Sequence, residues 1–178
     1  MHKHLLKLYI ICLITLLIAA AQPAQCSDWT QFQKDSYHTG YSVNSAPNID
    51  PTVLWQNATS SDQEPCGTGG INIPPLISGN KVFVTAGNAS VWAFNNDTGN
   101  LIWSRELGGS LMQTSTPAIG DGQLFVPTIE GDLYVLDPET GSTIRKTHIT
   151  DSSFESPITY SDHKLYIGDG LKGGNGTK

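Results

Sequence analysis

Two copies of one strand–turn–strand unit constrain this chain more than anything else in it. The first copy is Ala93-Phe94-Asn95-Asn96-Asp97-Thr98-Gly99-Asn100-Leu101-Ile102-Trp103, and its turn lies at Asp97-Thr98-Gly99. The second is Val135-Leu136-Asp137-Pro138-Glu139-Thr140-Gly141-Ser142-Thr143-Ile144-Arg145, which puts Gly141 42 residues after Gly99. The surroundings move with the unit. Pro75 returns as Pro117 and Pro157, Phe83 as Phe125 and Tyr166, and Trp92 as Tyr134. A period near 42 residues, built from short strands and turns, predicts a four-stranded propeller blade per repeat. The expected fold class is therefore all-β, a β-propeller of four-stranded antiparallel blades. About two and a half blades are present, and a ring needs roughly four to eight, so the chain reads as part of a larger propeller.

The strands follow from alternation and turn chemistry. In the first repeat, 75–116, they are expected at 75–77, 81–85, 90–94 and 101–105, with Ser78-Gly79-Asn80 and Gly87-Asn88 as turns. In the second, 117–156, they are expected at 116–119, 123–128, 132–137 and 142–147. The third, 157–178, is partial, with strands at 156–158 and 164–167. Phe83, Trp92, Phe94, Phe125, Tyr134 and Tyr166 occupy equivalent strand positions and read as blade core.

Ahead of the repeats, residues 27–74 form a lead-in. Trp29, Tyr37 and Tyr41 are expected to pack it onto the ring, with a ligand-facing role as the alternative. Thr52-Val53-Leu54-Trp55-Gln56 reads as a short strand, and a Gly-rich loop follows over 57–70. Residues 1–26 have a basic start, an apolar run over 8–21 and small residues at the exit, the layout of a secretory signal. Cleavage is placed after Ala21 or after Cys26, with an uncleaved N-terminal anchor and a lipid anchor on Cys26 as rivals. Cleavage after Ala21 leaves Cys26 and Cys66 available to pair, whereas cleavage after Cys26 leaves Cys66 alone.

All sixteen acidic residues follow position 26 and two of the ten basic residues precede it, so the exported part carries a net charge of −8. With no Lys/Arg cluster, nucleic acid and anionic membranes are not expected as partners. Membrane association is expected only through an uncleaved signal or a lipid anchor. Four sequons offer N-glycosylation, at Asn57, Asn88, Asn96 and Asn175. No zinc-type His/Cys spacing, no G-x-S-x-G turn and no phosphate-binding loop occurs. No catalytic, cofactor-binding or metal-ligating residue is assigned.

The eleven-residue unit with Asp97-Thr98-Gly99 and Trp103, together with the opening Asp28-Trp29 and His38-Thr39-Gly40-Tyr41-Ser42, resembles the PQQ-type propellers. That family includes quinoprotein alcohol dehydrogenases and the non-enzymatic propeller of bacterial outer-membrane assembly. The resemblance implies that Trp55 and Trp103 dock between neighbouring blades, with Gly99 and Gly141 also counted as blade-docking residues. Arg145 replaces the tryptophan in the second copy. It also implies that Val53 to Gln56 closes the ring as an outer strand. For an enzyme it would imply pyrroloquinoline quinone with calcium, held with a vicinal disulfide, and this chain has no adjacent cysteines. The function expected is an exported, extracellular, cell-surface or periplasmic scaffold, binding protein or glycan at the ring face without a cofactor. The alternatives are the N-terminal part of an exported PQQ-dependent alcohol or sugar dehydrogenase, and an envelope protein-assembly scaffold.

Overall fold

In a computed structural model, the structure describes residues 28–43, 52–57, 59 and 70–170. The signal segment, Cys26, Cys66, Asn175 and most of the Gly-rich loop lie outside the described residues. Among the described residues there are ten strands. The first blade is β1 (Leu76–Ser78), β2 (Lys81–Thr85), β3 (Ser90–Asn95) and β4 (Leu101–Glu106). The second is β5 (Ala118–Gly120), β6 (Gln123–Pro127), β7 (Asp132–Leu136) and β8 (Thr143–His148), and β9 (Thr159–Ser161) with β10 (Lys164–Tyr166) begins the third. Each blade is an antiparallel meander, ordered β1-β2-β3-β4 and β5-β6-β7-β8. The chain is thus an all-β propeller segment, and the two full blades repeat each other down to a bulge. The register shifts at Ala93/Phe94 in one blade and at the equivalent Val135/Leu136 in the other.

Alternation divides each sheet into two faces, and the blades stack through them. Phe83, Val91, Ala93 and Trp103 of the first blade pack on Leu124, Val126, Tyr134 and Leu136 of the second. The other face of the second blade, with Ala118, Phe125, Leu133 and Val135, packs on Ile158, Tyr160, Leu165 and Ile167. Both hairpin turns of the repeat unit are organised by one side chain. Asn95 Oδ1 accepts the N–H groups of Asp97 (3.0 Å) and Thr98 (2.9 Å). Asp137 Oδ1 accepts those of Glu139 (2.7 Å) and Thr140 (3.1 Å). These are Asx turns, and each delivers a glycine at positive φ, Gly99 at 70° and Gly141 at 69°.

Four expectations differ from the structure. Residues 52–57 form no strand, since no described strand lies alongside to pair their backbone. The third blade starts at Thr159 rather than Ser156, because the Ser156 hydroxyl is bonded to Gly168 and the Ile158 N–H to Thr116 O. Tyr166 is 55% exposed, on the face of β10 turned away from the second blade. Tyr37 and Tyr41 are 88% and 65% exposed, and only Trp29 of the three lead-in aromatics is tied to a blade, through its backbone.

Candidate functional site

Two features gather the polar chemistry of this chain: the joints between blades and the lead-in segment that crosses three of them. Each joint has the same three parts. The Trp103 indole lies over Gly141, where a Cβ would come within 2.6 Å of the ring. Its Nε1–H donates to Pro138 O (3.0 Å), and Arg105 Nε, two residues on, donates to Gly141 O (2.9 Å). One blade earlier, Trp55 lies over Gly99, again with a Cβ position 2.6 Å from the ring. Trp55 Nε1–H donates to Asn96 O (2.8 Å) and Asn57 Nδ2 to Gly99 O (3.0 Å). The receiving turns are 42 residues apart and the tryptophans 48, so the loop after Trp55 absorbs the difference. The donor two residues beyond each tryptophan is absent from the sequence reading. Its signal is the polar residue in Trp-x-Asn and Trp-x-Arg. Arg145, at the tryptophan's place in the second blade, lies on the exposed β8.

Charged groups reinforce the joints. Lys81, 8% exposed, donates to both oxygens of Glu139 on the turn of the second blade, at 2.9 and 2.8 Å. Asp121, on the β5–β6 hairpin, meets His163 Nδ1 of the β9–β10 hairpin at 2.6 Å. The hydrogen bond from His163 holds the Asp121 carboxyl below its usual range and, reciprocally, raises His163. The same carboxylate pushes the Tyr160 phenol up to about 12. On the outer edge, Lys146 lowers Asp132, and Asp132 followed by Asp151 raises His148.

The lead-in is the second feature. Asp28 Oδ1 accepts the Gly79 N–H (2.9 Å), and Trp29 and Ile77 exchange two backbone hydrogen bonds (2.8 and 2.9 Å). Thr30 O accepts Ile119 N–H (2.7 Å) and Gln31 Oε1 accepts Tyr160 N–H (2.8 Å). Beyond it, His38 Nε2 meets Thr159 Oγ1 at 2.9 Å. Asp35 closes the intervening loop by accepting the N–H groups of Tyr37 (3.0 Å) and Thr39 (3.1 Å). The bond from the Thr39 hydroxyl holds its carboxyl low. Tyr37 and Tyr41 are thereby presented to solvent from an internally braced loop.

Of the sequon asparagines, Asn57 is engaged at the first joint, Asn96 contributes its backbone to that joint, and Asn88 is exposed in the β2–β3 turn. Asn88 also borders a polar cavity of about 240 Å³ with Thr59, Ser90, Trp92, Ser104, Arg105 and Glu106. The equivalent of Trp92 in the second blade, Tyr134, is covered by the first blade and donates its hydroxyl to Leu107 O (2.6 Å). The cavity is accordingly the side on which a preceding blade would dock. Among the described residues no group of three or more His, Cys, Asp or Glu is arranged to hold a metal ion.

Comparison with known proteins matches residues 48–163 to a family model described as outer membrane protein assembly factor BamB. Among curated proteins, a tetrathionate hydrolase of Acidithiobacillus ferrooxidans is 24% identical, over 55% of this chain and 24% of that protein. An outer membrane protein assembly factor BamB of Legionella pneumophila is 26% identical, over 52% of this chain and 23% of that protein. This chain thus spans about a quarter of the length of the curated relatives it matches. Among solved structures, a europium-containing methanol dehydrogenase superposes with a TM-score of 0.65 at 18% identity, over 80% of this chain and 27% of that one. The quinohemoprotein alcohol dehydrogenase of Comamonas testosteroni gives 0.64 at 23% identity, over 84% and 24%. At these identities the two structures share the fold.

Proposed function

Because this chain belongs to the family described as outer membrane protein assembly factor BamB, we propose that it serves as an exported, non-catalytic scaffold that binds protein. One observation carries the reading. Side chains with chemistry to offer (Lys81, Arg105, Gln31, Asp121, His163) are spent on joining blades, while Tyr37 and Tyr41 stand out on a braced loop. Tyrosines held this way supply large contact area at little conformational cost, the property of residues that anchor protein interfaces. The likeness to dehydrogenases is a likeness of fold, and fold does not carry activity.

The test places a photo-crosslinking amino acid at position 37 and, as control, at position 144 on β8, in the cell that makes the protein. Discrete protein adducts from position 37 alone are expected, with the adducts identified by mass spectrometry. A titration with pyrroloquinoline quinone and calcium completes it. Tight binding joined to dye-linked alcohol oxidation overturns the scaffold reading in favour of the dehydrogenase. Among the described sequon asparagines, Asn88 is exposed in the β2–β3 turn and a glycan on it leaves the Gly99 joint untouched. The intact mass of the native protein and of Asn88→Gln checks its use.

A further inference from the structure

In each blade the innermost strand is paired on one side only: β1 to β2, β5 to β6 and β9 to β10. Ile77, Ile119 and Tyr160 hold the same position in these strands, opposite Val82, Leu124 and Leu165. Their N–H groups point to the unpaired inner edge. An open edge of this kind is a template for another chain. Here three consecutive residues meet the three donors in order, Trp29 O at Ile77 (2.9 Å), Thr30 O at Ile119 (2.7 Å) and Gln31 Oε1 at Tyr160 (2.8 Å). Gln31, 5% exposed, also donates from Nε2 to Tyr160 O (3.3 Å). Its carboxamide accepts and donates as a peptide group does, so it stands in for a backbone bridge that the chain has turned away from.

We propose that the inner edge formed by β1, β5 and β9 is a binding site for an extended polypeptide segment, and that residues 28–31 are its resident occupant. The site recognises two successive backbone carbonyls followed by a carboxamide side chain, with an acceptor ahead of them at the place of Asp28. A segment of a client protein with that chemistry fits the same donors once the resident leaves. Covalent attachment gives the resident an effective concentration on the order of millimolar, so it holds the site until a competitor exceeds that or its own hold is weakened. This assignment rests on the protein-binding reading above for the identity of its client, while the site itself is tested independently.

The experiment uses the full chain and a labelled peptide, Ser-Asp-Trp-Thr-Gln-Phe-Gln-Lys-Asp-Ser, which copies residues 27–36. The chain carrying Gln31→Ala is expected to bind this peptide at least about tenfold more tightly than the natural chain, because its resident has lost one buried pairing. On that variant a peptide with Glu in place of the first Gln is expected to bind about tenfold more weakly than the Gln peptide. Equal affinity for the two peptides, or no uptake by a folded Gln31→Ala chain, overturns the proposal. Should that variant not fold, amide exchange on the natural chain decides. Ile77, Ile119 and Tyr160 are expected to exchange at one common rate through release of one segment, and three unrelated rates overturn it. Peptide binding without adducts from position 37 leaves the site standing and removes the scaffold reading.

Discussion

A methyl group at Gly141 has nowhere to go. It would lie 2.6 Å from the Trp103 ring, on a backbone at φ 69°, where L side chains carry strain of about 1–3 kcal/mol before any clash is counted. Gly141→Ala is therefore expected to lower stability by at least that amount, and Trp103→Ala, which empties a buried indole site, by about 3–5 kcal/mol. Denaturant titration checks both, and a change under about 0.5 kcal/mol, the size of an ordinary surface substitution, would remove the joint from the account. At Gln31 the informative change is to Glu. A carboxylate there would face the Tyr160 carbonyl that Nε2 now serves, so the folded state favours the protonated acid and raises its pKa above about 4.3. Gln31→Glu is then expected to melt close to the natural protein below pH 4 and progressively lower as pH rises toward 7. A constant offset across that range counts against the pairing. Gly99, Gly141 and the tryptophans are legible in the sequence because their spacing repeats. Gln31 is not, because its meaning comes from Tyr160, 129 residues away.

At the scale of elements, the strands of the two full blades were legible to within a residue or two, because turn glycines and asparagines bracket β-branched runs. The exception is the segment around Trp55, whose composition suits a strand. Pairing needs a neighbour, though, and the fold uses this segment to hold an indole and a carboxamide against the Gly99 turn. The hairpins carry a contact between elements that composition could not show, the pair Asp121 and His163. The carboxyl lowered by His163 stabilises the fold above pH 4 and loses this as pH falls through its folded value. The imidazole raised by Asp121 stabilises it below about 6.5 and loses this as pH rises. The linkage is thus strongest between about pH 4 and 6.5, and His163→Ala should lower thermal stability inside that window and flatten its fall on either side. An unchanged profile would show that solvent screens this exposed pair fully.

For the molecule as a whole, each joint couples one blade to the next, and Lys81, bound to the exposed Glu139, is the most buried charged side chain in the ion pairs of the described residues. Glu139→Ala leaves an ammonium 8% exposed with Asn80 Oδ1 as its recorded partner. It is expected to cost about 1–3 kcal/mol, read as a fall in Tm that Glu139→Gln partly restores. Retention of the natural Tm would mean the lysine finds water instead. The architecture could be read from sequence because every blade solves the same packing problem. The lead-in solves a problem posed by all the blades together, so no periodicity announces it. That has a consequence in time. Residues 29–31 are among the earliest made of the described chain, yet Gln31 must wait for Tyr160, 129 residues later. At a synthesis rate of about 5–20 residues per second, that wait is roughly 6 to 26 s. Over its last 40 residues, once β5 has ended at Gly120, the inner edges of β1 and β5 are both made while β9 is not, so the segment can be held by two blades before the third exists to receive Gln31.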